Sequence, residues 1–207
     1  MSSIPLQCLQ DDKGGVILGI DEAGRGPVLG PMVYSAAFWA DSDNEEVSAM
    51  GFDDSKALSG ARRDDLFERI KKTPQVGWVL RLLSAKELSA KMCRKTPYSL
   101  NAISHDAAIE MIRLAQSENV KIAKVFVDTV GDPSSYQNKL EREFGSSIKF
   151  TVAKKADSLY KTVSAASIIA KVGLCFLFFA WVACSVLTIV ESILPGCSRY
   201  CLYLMLD

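Results

Sequence analysis

The sequence predicts an α/β fold, because short apolar runs ending in acids or glycines alternate with amphipathic stretches of helical period. Val16-Ile17-Leu18-Gly19-Ile20 reads as a buried strand that exits at Asp21-Glu22. A glycine-rich turn, Ala23 to Pro31, leads into a second apolar run from Met32 to Trp39, and antiparallel pairing is expected across this opening hairpin. Asp41 to Glu46 reads as a solvated acidic loop. Ala61 to Lys72 predicts an amphipathic helix with Leu66, Phe67 and Ile70 on one face. Gly77 to Leu83 suggests a third strand, and Ser84 with Glu87 three residues on reads as a capping box that opens a short helix. Leu100 to Glu118 predicts a longer helix, its apolar face made by Ile103, Ala107, Ile109, Met111, Ile112 and Leu114. Lys124-Val125-Phe126-Val127-Asp128 is the clearest strand after the first and also ends in an acid. A helix over Ser134 to Phe144, a strand over Ile148 to Ala153 and the start of a helix over Val163 to Lys171 complete the pattern.

Composition narrows the function less than the pattern does. A chain of 207 residues with 49% apolar and 23% charged residues is long enough for one α/β domain with a covered core. Its formal net charge is zero, so no field of the whole molecule draws a polyanion in, and any phosphate contact must come from local lysines and arginines. Met1 to Gly15 lacks the basic start and apolar run of a secretory signal. Before residue 172 the cysteines are Cys8 and Cys93, without metal-ligand spacing, so this part reads as intracellular and free of disulfides.

The acids carry the chemistry. Asp21-Glu22 and Asp128 stand at the C-terminal tips of strands, where open α/β sheets usually bind ligands, and Asp157 follows Lys154-Lys155-Ala156 just ahead of a helix. Gathered carboxylates repel one another by roughly 4 kcal/mol per pair at about 4 Å and an effective dielectric near 20. Such a cluster takes up protons or binds hard cations, and an oxygen-only set favours Mg²⁺ or Mn²⁺. Two such ions can activate water and stabilise a leaving oxygen in phosphodiester hydrolysis. Acids after strands also serve as helix caps and turn formers, so spacing alone leaves both readings open.

Gly19-Ile20-Asp21-Glu22-Ala23-Gly24-Arg25-Gly26-Pro27-Val28-Leu29-Gly30-Pro31 resembles the signature of type 2 ribonucleases H, nearest to the catalytic, A-type polypeptide of the archaeal and eukaryotic branch. The resemblance continues in order through Asp54-Ser55-Lys56, Leu100-Asn101-Ala102-Ile103-Ser104-His105-Asp106, Val125 to Gly131 and Lys155-Ala156-Asp157. It ends with Val163-Ser164-Ala165-Ala166-Ser167-Ile168-Ile169-Ala170-Lys171. It implies a ribonuclease H-like fold, a mixed five-stranded sheet flanked by helices, incomplete at the C-terminus. It makes Asp21, Glu22, Asp128 and Asp157 the four carboxylates that bind two Mg²⁺ or Mn²⁺ ions. The implied reaction is cleavage of RNA in RNA–DNA hybrids, or at single ribonucleotides in duplex DNA, leaving a 3′-hydroxyl and a 5′-phosphate. Accessory subunits B and C and a nuclear location are implied with it, although the surfaces for assembly extend beyond the matching part.

The remaining substrate contacts follow from the same resemblance and sensible chemistry. Gly24-Arg25-Gly26 matches the family's ribose reader; distinguishing RNA from DNA requires contact with the 2′-hydroxyl, and flanking glycines let the backbone approach. A dinucleotide-binding loop is the rival, but the spacing of Gly24, Gly26 and Gly30 is not G-x-G-x-x-G, and adjacent acids would repel a pyrophosphate. Lys56, Lys154 and Lys155 are candidate phosphate contacts, with solvated surface lysines as the plain alternative. Ser164 and Ser167 resemble phosphate-side serines near a helix N-terminus, or else pack the helix. His105, the single histidine, fits a structural hydrogen bond with Asp106 beside it better than a role as general acid.

From Val172 to Asp207 the chain changes character: only Glu191, Arg199 and Asp207 are charged, and four of the six cysteines lie there. We take 1–171 as the catalytic domain and 172–207 as an unrelated apolar tail. The 19 charge-free residues from Val172 to Val190 qualify as a membrane segment by length. Read-through past an exon boundary is the favoured account, since every valine codon begins with GT, as does a typical intron. Three functions follow: a hybrid-cleaving nuclease, weak or silent in this form; a membrane-tethered or unstable isoform that at most binds nucleic acid or partner subunits; an unrelated phosphate-handling enzyme. Sequencing genomic DNA and transcript across codon 172 is expected to find a splice boundary, and a continuous exon there defeats the read-through account.

Overall fold

The computed structural model describes residues 2–3, 14–26, 31–52, 58–96, 98–129 and 131–193, with side chains excepted at 2–3 and 180–193. The strands are β1 (Ser2–Ser3), β2 (Val16–Ala23), β3 (Met32–Ala40), β4 (Gly77–Leu83), β5 (Ile122–Asp128) and β6 (Lys149–Ala153). The helices are α1 (Asn44–Ser48), α2 (Gly60–Lys72), α3 (Ala85–Met92), α4 (Leu100–Ser117), α5 (Pro133–Phe144), α6 (Ala156–Leu159) and α7 (Lys161–Ile193). One mixed sheet runs in the order β1-β4-β3-β2-β5-β6. Strands β4, β3 and β2 pair antiparallel, and β2, β5 and β6 pair parallel. The five expected strands are all present, with the two-residue β1 added at the edge beside β4.

The alternation of each strand divides the core in two. Val16, Leu18 and Ile20 of β2, with Tyr34, Ala36 and Phe38 of β3, face Ile103, Ala107, Met111 and Ile112 of α4 and Tyr136 and Leu140 of α5. Ile17, Ala37, Trp39 and Trp78 face Leu66 and Ile70 of α2 and Ala165, Ala166, Ile168 and Ile169 of α7. Because β2 and β3 are covered on both faces, their sequences read as continuous apolar runs.

Local capping chemistry sets the helix starts. Ser59, Ser84, Ser99 and Asp132 each accept a bond from a backbone N–H of the first turn of α2, α3, α4 and α5. At Ser84 the cap bond to the N–H of Glu87 forms at 3.1 Å, while the Glu87 carboxylate takes Arg81 and Lys91. Two expectations change. The acidic stretch after β3 is a 3₁₀ turn followed by α1, because Val47 is buried and pins it to the core. Leu114 of α4 is 43% exposed, one helical step off the apolar stripe.

Helix α7 fixes the second layer. Its first turns lie against β2, where an added Cβ on Gly19 would stand 2.3 Å from the carbonyl carbon of Thr162 and 2.4 Å from the nitrogen of Val163. The boundary expected at residue 171 falls inside this single helix, and Leu174 and Leu177 still pack against Ala23, Val33 and Ala170. Phe176, Phe178 and Phe179 point outward. The stretch Lys161–Phe179 is long and apolar enough to cross a membrane, but 56% of its most apolar window is buried inside the domain. Among the described residues Cys93 and Cys175 are free thiols.

The backbone contact at Gly19 cannot yield to a side chain without moving α7. Gly19→Ala is expected to lower unfolding free energy by about 3 kcal/mol, at the upper end of overpacking costs, measured by urea denaturation.

Candidate functional site

Consecutive residues of a strand point to opposite faces, so β2 delivers its two terminal acids to different surroundings. Asp21 shares the face of Ile17 and lies against α7, only 6% exposed, where its carboxylate is hydrogen-bonded by Ser167 and by the backbone N–H of Glu22 at 2.8 Å. Glu22 turns to the other face and lines a cleft with Asn101, Ser104 and His105 of α4. The register that pairs Ile20 with Val127 carries Asp21 and Asp128 to neighbouring strand tips.

Asp128 is positioned by what it accepts. Its Oδ1 takes the backbone N–H of Ala156 at 2.8 Å, tying the turn after β6 to the tip of β5. That turn places Asp157, 5% exposed, in the single-turn α6. It bends through Lys155 at φ 58°, a left-handed conformation that few side chains adopt. The hydroxyl of Ser164 donates to the carbonyl of Asp157, so Ser164 braces the turn from beneath and is itself buried.

Asp21 reports the electrostatics of the group. Burial pushes its carboxyl up to about 7; the bonds from Ser167 and the Glu22 N–H oppose the rise, and the charges of Asp128 and Asp157 add to it. The structure therefore brings Asp128 and Asp157 within electrostatic range of Asp21 and puts Glu22 and Asp128 on one cleft. Among the described residues no three His, Cys, Asp or Glu side chains form a ready-made metal cage. Oxygen donors, and a carboxylate raised first by burial and then by the charges of Asp128 and Asp157, fit a hard divalent cation such as Mg²⁺.

The turn after β2 is shaped by glycine. Gly24 sits at φ +81°, and a Cβ there would stand 2.5 Å from the carbonyl oxygen of Pro31. Among the described residues, a Cβ on Gly26 would meet nothing within 4 Å. Between them, Arg25 gives one guanidinium nitrogen to Ser104 Oγ and the other to Asn101 Oδ1, and stands 4.0 Å from Glu22.

The other predicted residues divide. Lys154 and Lys155 are exposed beside the Asp157 turn, while Lys56 lies outside the described residues. His105 stacks on Tyr136 with ring centroids 3.7 Å apart. Its neighbour Asp106 accepts instead from Tyr98 at 2.6 Å and Lys139 at 3.1 Å. The stack therefore replaces the expected His105–Asp106 hydrogen bond as the structural role. Burial first, and then the Lys139 charge, hold the His105 imidazole down at about 4. Sequence reasoning missed Asn101 and Ser104 as partners of Arg25 and the bond of Ser167 to Asp21, because each joins segments 76 or more residues apart.

Residues 18–174 match the family model described as ribonuclease HII. The A-type polypeptide of ribonuclease H2 from Bos taurus is 46% identical over 173 residues, covering 83% of this chain and 56% of that protein. The chain thus spans a little over half the length of this curated relative. The ribonuclease H2 structure from Pyrococcus horikoshii OT3 superposes with a TM-score of 0.65 at 31% identity, over 77% of this chain and 72% of that one. The ribonuclease HII from Archaeoglobus fulgidus, solved in complex with PCNA, gives 0.65 at 34% identity with the same coverage.

Since the folded-state value of Asp21, about 7, lies above its ordinary 3.8, stability from this group is fully present below about pH 4 and is lost as pH rises through 7. Comparing Asp21→Asn with the parent by urea denaturation should show the variant gaining relative stability from pH 4 to pH 8, by up to about 4 kcal/mol. A constant difference across that range would show that Asp21 ionises normally.

Proposed function

The chain belongs to the ribonuclease HII family, and from that premise we propose that it carries the centre of a ribonuclease H that hydrolyses RNA in RNA–DNA hybrids and at single ribonucleotides in duplex DNA. The observation that carries this reading is the buried Asp21, whose carboxyl is raised by burial and by the charges of Asp128 and Asp157 at the same end of the sheet.

In this reading Asp21, Glu22, Asp128 and Asp157 hold two Mg²⁺ or Mn²⁺ ions. Bound divalent cations would offset the charge of the attacked phosphate and of the departing 3′-oxygen. The protein's own part is placement. Ser167 and the Glu22 N–H orient Asp21, and the Ala156 N–H orients Asp128. Gly24, with its positive φ, and Gly26, which lack side chains, are assigned the backbone contact to a ribose 2′-hydroxyl, the one feature that marks RNA. Lys154 and Lys155, exposed beside the Asp157 turn, are assigned the flanking phosphates, and Lys56 is assigned the same task on resemblance alone. Ser164 supports the Asp157 turn rather than reaching a phosphate. Products are a 5′-phosphate and a 3′-hydroxyl.

Because the cattle relative is by name one component of a multi-subunit ribonuclease H2, assembly with accessory subunits is part of the proposal. Residues after 174 fall outside the family match, so weak cutting by this chain alone is expected. A duplex with one embedded ribonucleotide, incubated with Mg²⁺, tests the assignment. Cutting is expected at that nucleotide, with Asp128→Asn lowering the rate by roughly two orders of magnitude or more, the scale of losing a preorganised charge-stabilising group. Binding without cutting would favour a non-catalytic isoform, and neither binding nor cutting would point to a different phosphate chemistry.

A further inference from the structure

We propose that the loop between α3 and α4 is a further nucleic-acid contact, where Arg94 and Lys95 hold phosphates of the DNA strand paired with the cleaved one. The inference rests on the proposed nuclease reading and gives the uncut strand a place. Between Glu87 and Asp106 the chain carries no acid, and its charged residues there are Lys91, Arg94 and Lys95. Lys91 pairs with Glu87 at 3.1 Å. Arg94 and Lys95 are exposed, and among the described residues no carboxylate pairs with either. In a molecule of zero net charge, a local surplus of this kind is what a polyanion can find.

Topology puts the loop near the acids. Leu83, the last residue of β4, pairs with Met32 at the start of β3, and Val33 pairs with Ala23 at the end of β2. Strand β4 therefore leaves the sheet at the end where Asp21 and Glu22 stand. The chain returns through α3 and the loop to the first turns of α4, where Asn101, Ser104 and His105 line the cleft. The loop is also held in place. Tyr98 donates its hydroxyl to Asp106 at 2.6 Å, and its N–H to the carbonyl of Lys91 at 3.2 Å. Arg94 lies over the Tyr98 ring, 4.8 Å from its centroid, and its Nε donates to the carbonyl of Thr96 at 2.8 Å. A guanidinium ordered in this way loses less side-chain freedom when a phosphate binds.

A protein that contacts 2′-hydroxyls across the minor groove has phosphates of both strands in reach. Lys154 and Lys155 belong to the turn that runs into α7, which covers one face of the sheet. The α3–α4 loop belongs to the layer on the other face, where Tyr98 packs against the core. With the lysines of the Asp157 turn assigned to the cleaved strand, the loop is left to its complement.

Fluorescence anisotropy of a duplex with one ribonucleotide tests this, using the full chain carrying Asp128→Asn so that no cutting intervenes. Adding Arg94→Ala/Lys95→Ala should weaken binding roughly tenfold per lost charge at about 0.1 M salt, and lower the slope of log affinity against log salt by about 2. Adding Arg94→Lys/Lys95→Arg instead should preserve the slope, because both charges remain. Uncharged methylphosphonates in the DNA strand should abolish the effect of the alanine changes, whereas methylphosphonates in the ribonucleotide-bearing strand should leave it. An unchanged slope with alanine, an equal loss in the charge-keeping variant, or an effect abolished through the ribonucleotide-bearing strand overturns the inference. So does undiminished duplex binding with lost capture of accessory subunits, which would make the loop a protein contact. Absence of duplex binding before any loop change overturns the nuclease reading, and the inference with it.

Discussion

The backbone of Thr162 and Val163 lies directly on Gly19, and the placement of the acidic residues follows from that contact. A strand advances about 6.6 Å in two residues and a helix about 6 Å in four, so helix and strand stay nearly in step as they leave the contact. Val163 beside Gly19 therefore puts Ser167 beside Asp21, and Ala170 beside Ala23. A close backbone approach at one residue thus becomes a hydrogen bond to a carboxylate two residues later.

The same geometry explains why two adjacent acids can differ so much. Asp21 is pressed under α7 and loses most of its water, whereas Glu22 turns into a cleft beside a cation. Asp128 stands on the neighbouring tip and links the two regions, since it contributes charge to Asp21 and lines the cleft with Glu22. Strand alternation, which elsewhere separates two halves of a core, here sends the members of one acidic pair to opposite faces of the sheet.

Much of this was legible from residue order. The all-apolar run of β2, the acids at the exits of β2 and β5, and the serine and aspartate caps are local signals, and they placed the strands and most helices. The motif order around Gly24-Arg25-Gly26 and Lys155-Ala156-Asp157 carried the family. The Arg25 hydrogen bonds were not legible, because they join Arg25 to residues 76 and 79 positions later and depend on where α4 crosses the sheet. Nor was α1, whose acidic surface hides the single buried Val47 that anchors it. The bracing of Asp157 by Ser164 was missed because a hydroxyl near a helix start suggests an anion site, and only coordinates show it donating to a carbonyl.

The stacked pair of His105 and Tyr136 gives the cleft one more property. Burial holds the imidazole near 4 and raises the Tyr136 phenol well above its ordinary 10, so both rings remain uncharged throughout the neutral range. One side of the cleft is thus a flat, proton-silent plate whose character acidification to pH 5 leaves unaltered. The lone imidazole of this chain, the usual suspect at neutral pH, therefore brings no change of charge to the cleft between pH 5 and 8, because burial and the Lys139 charge hold it neutral.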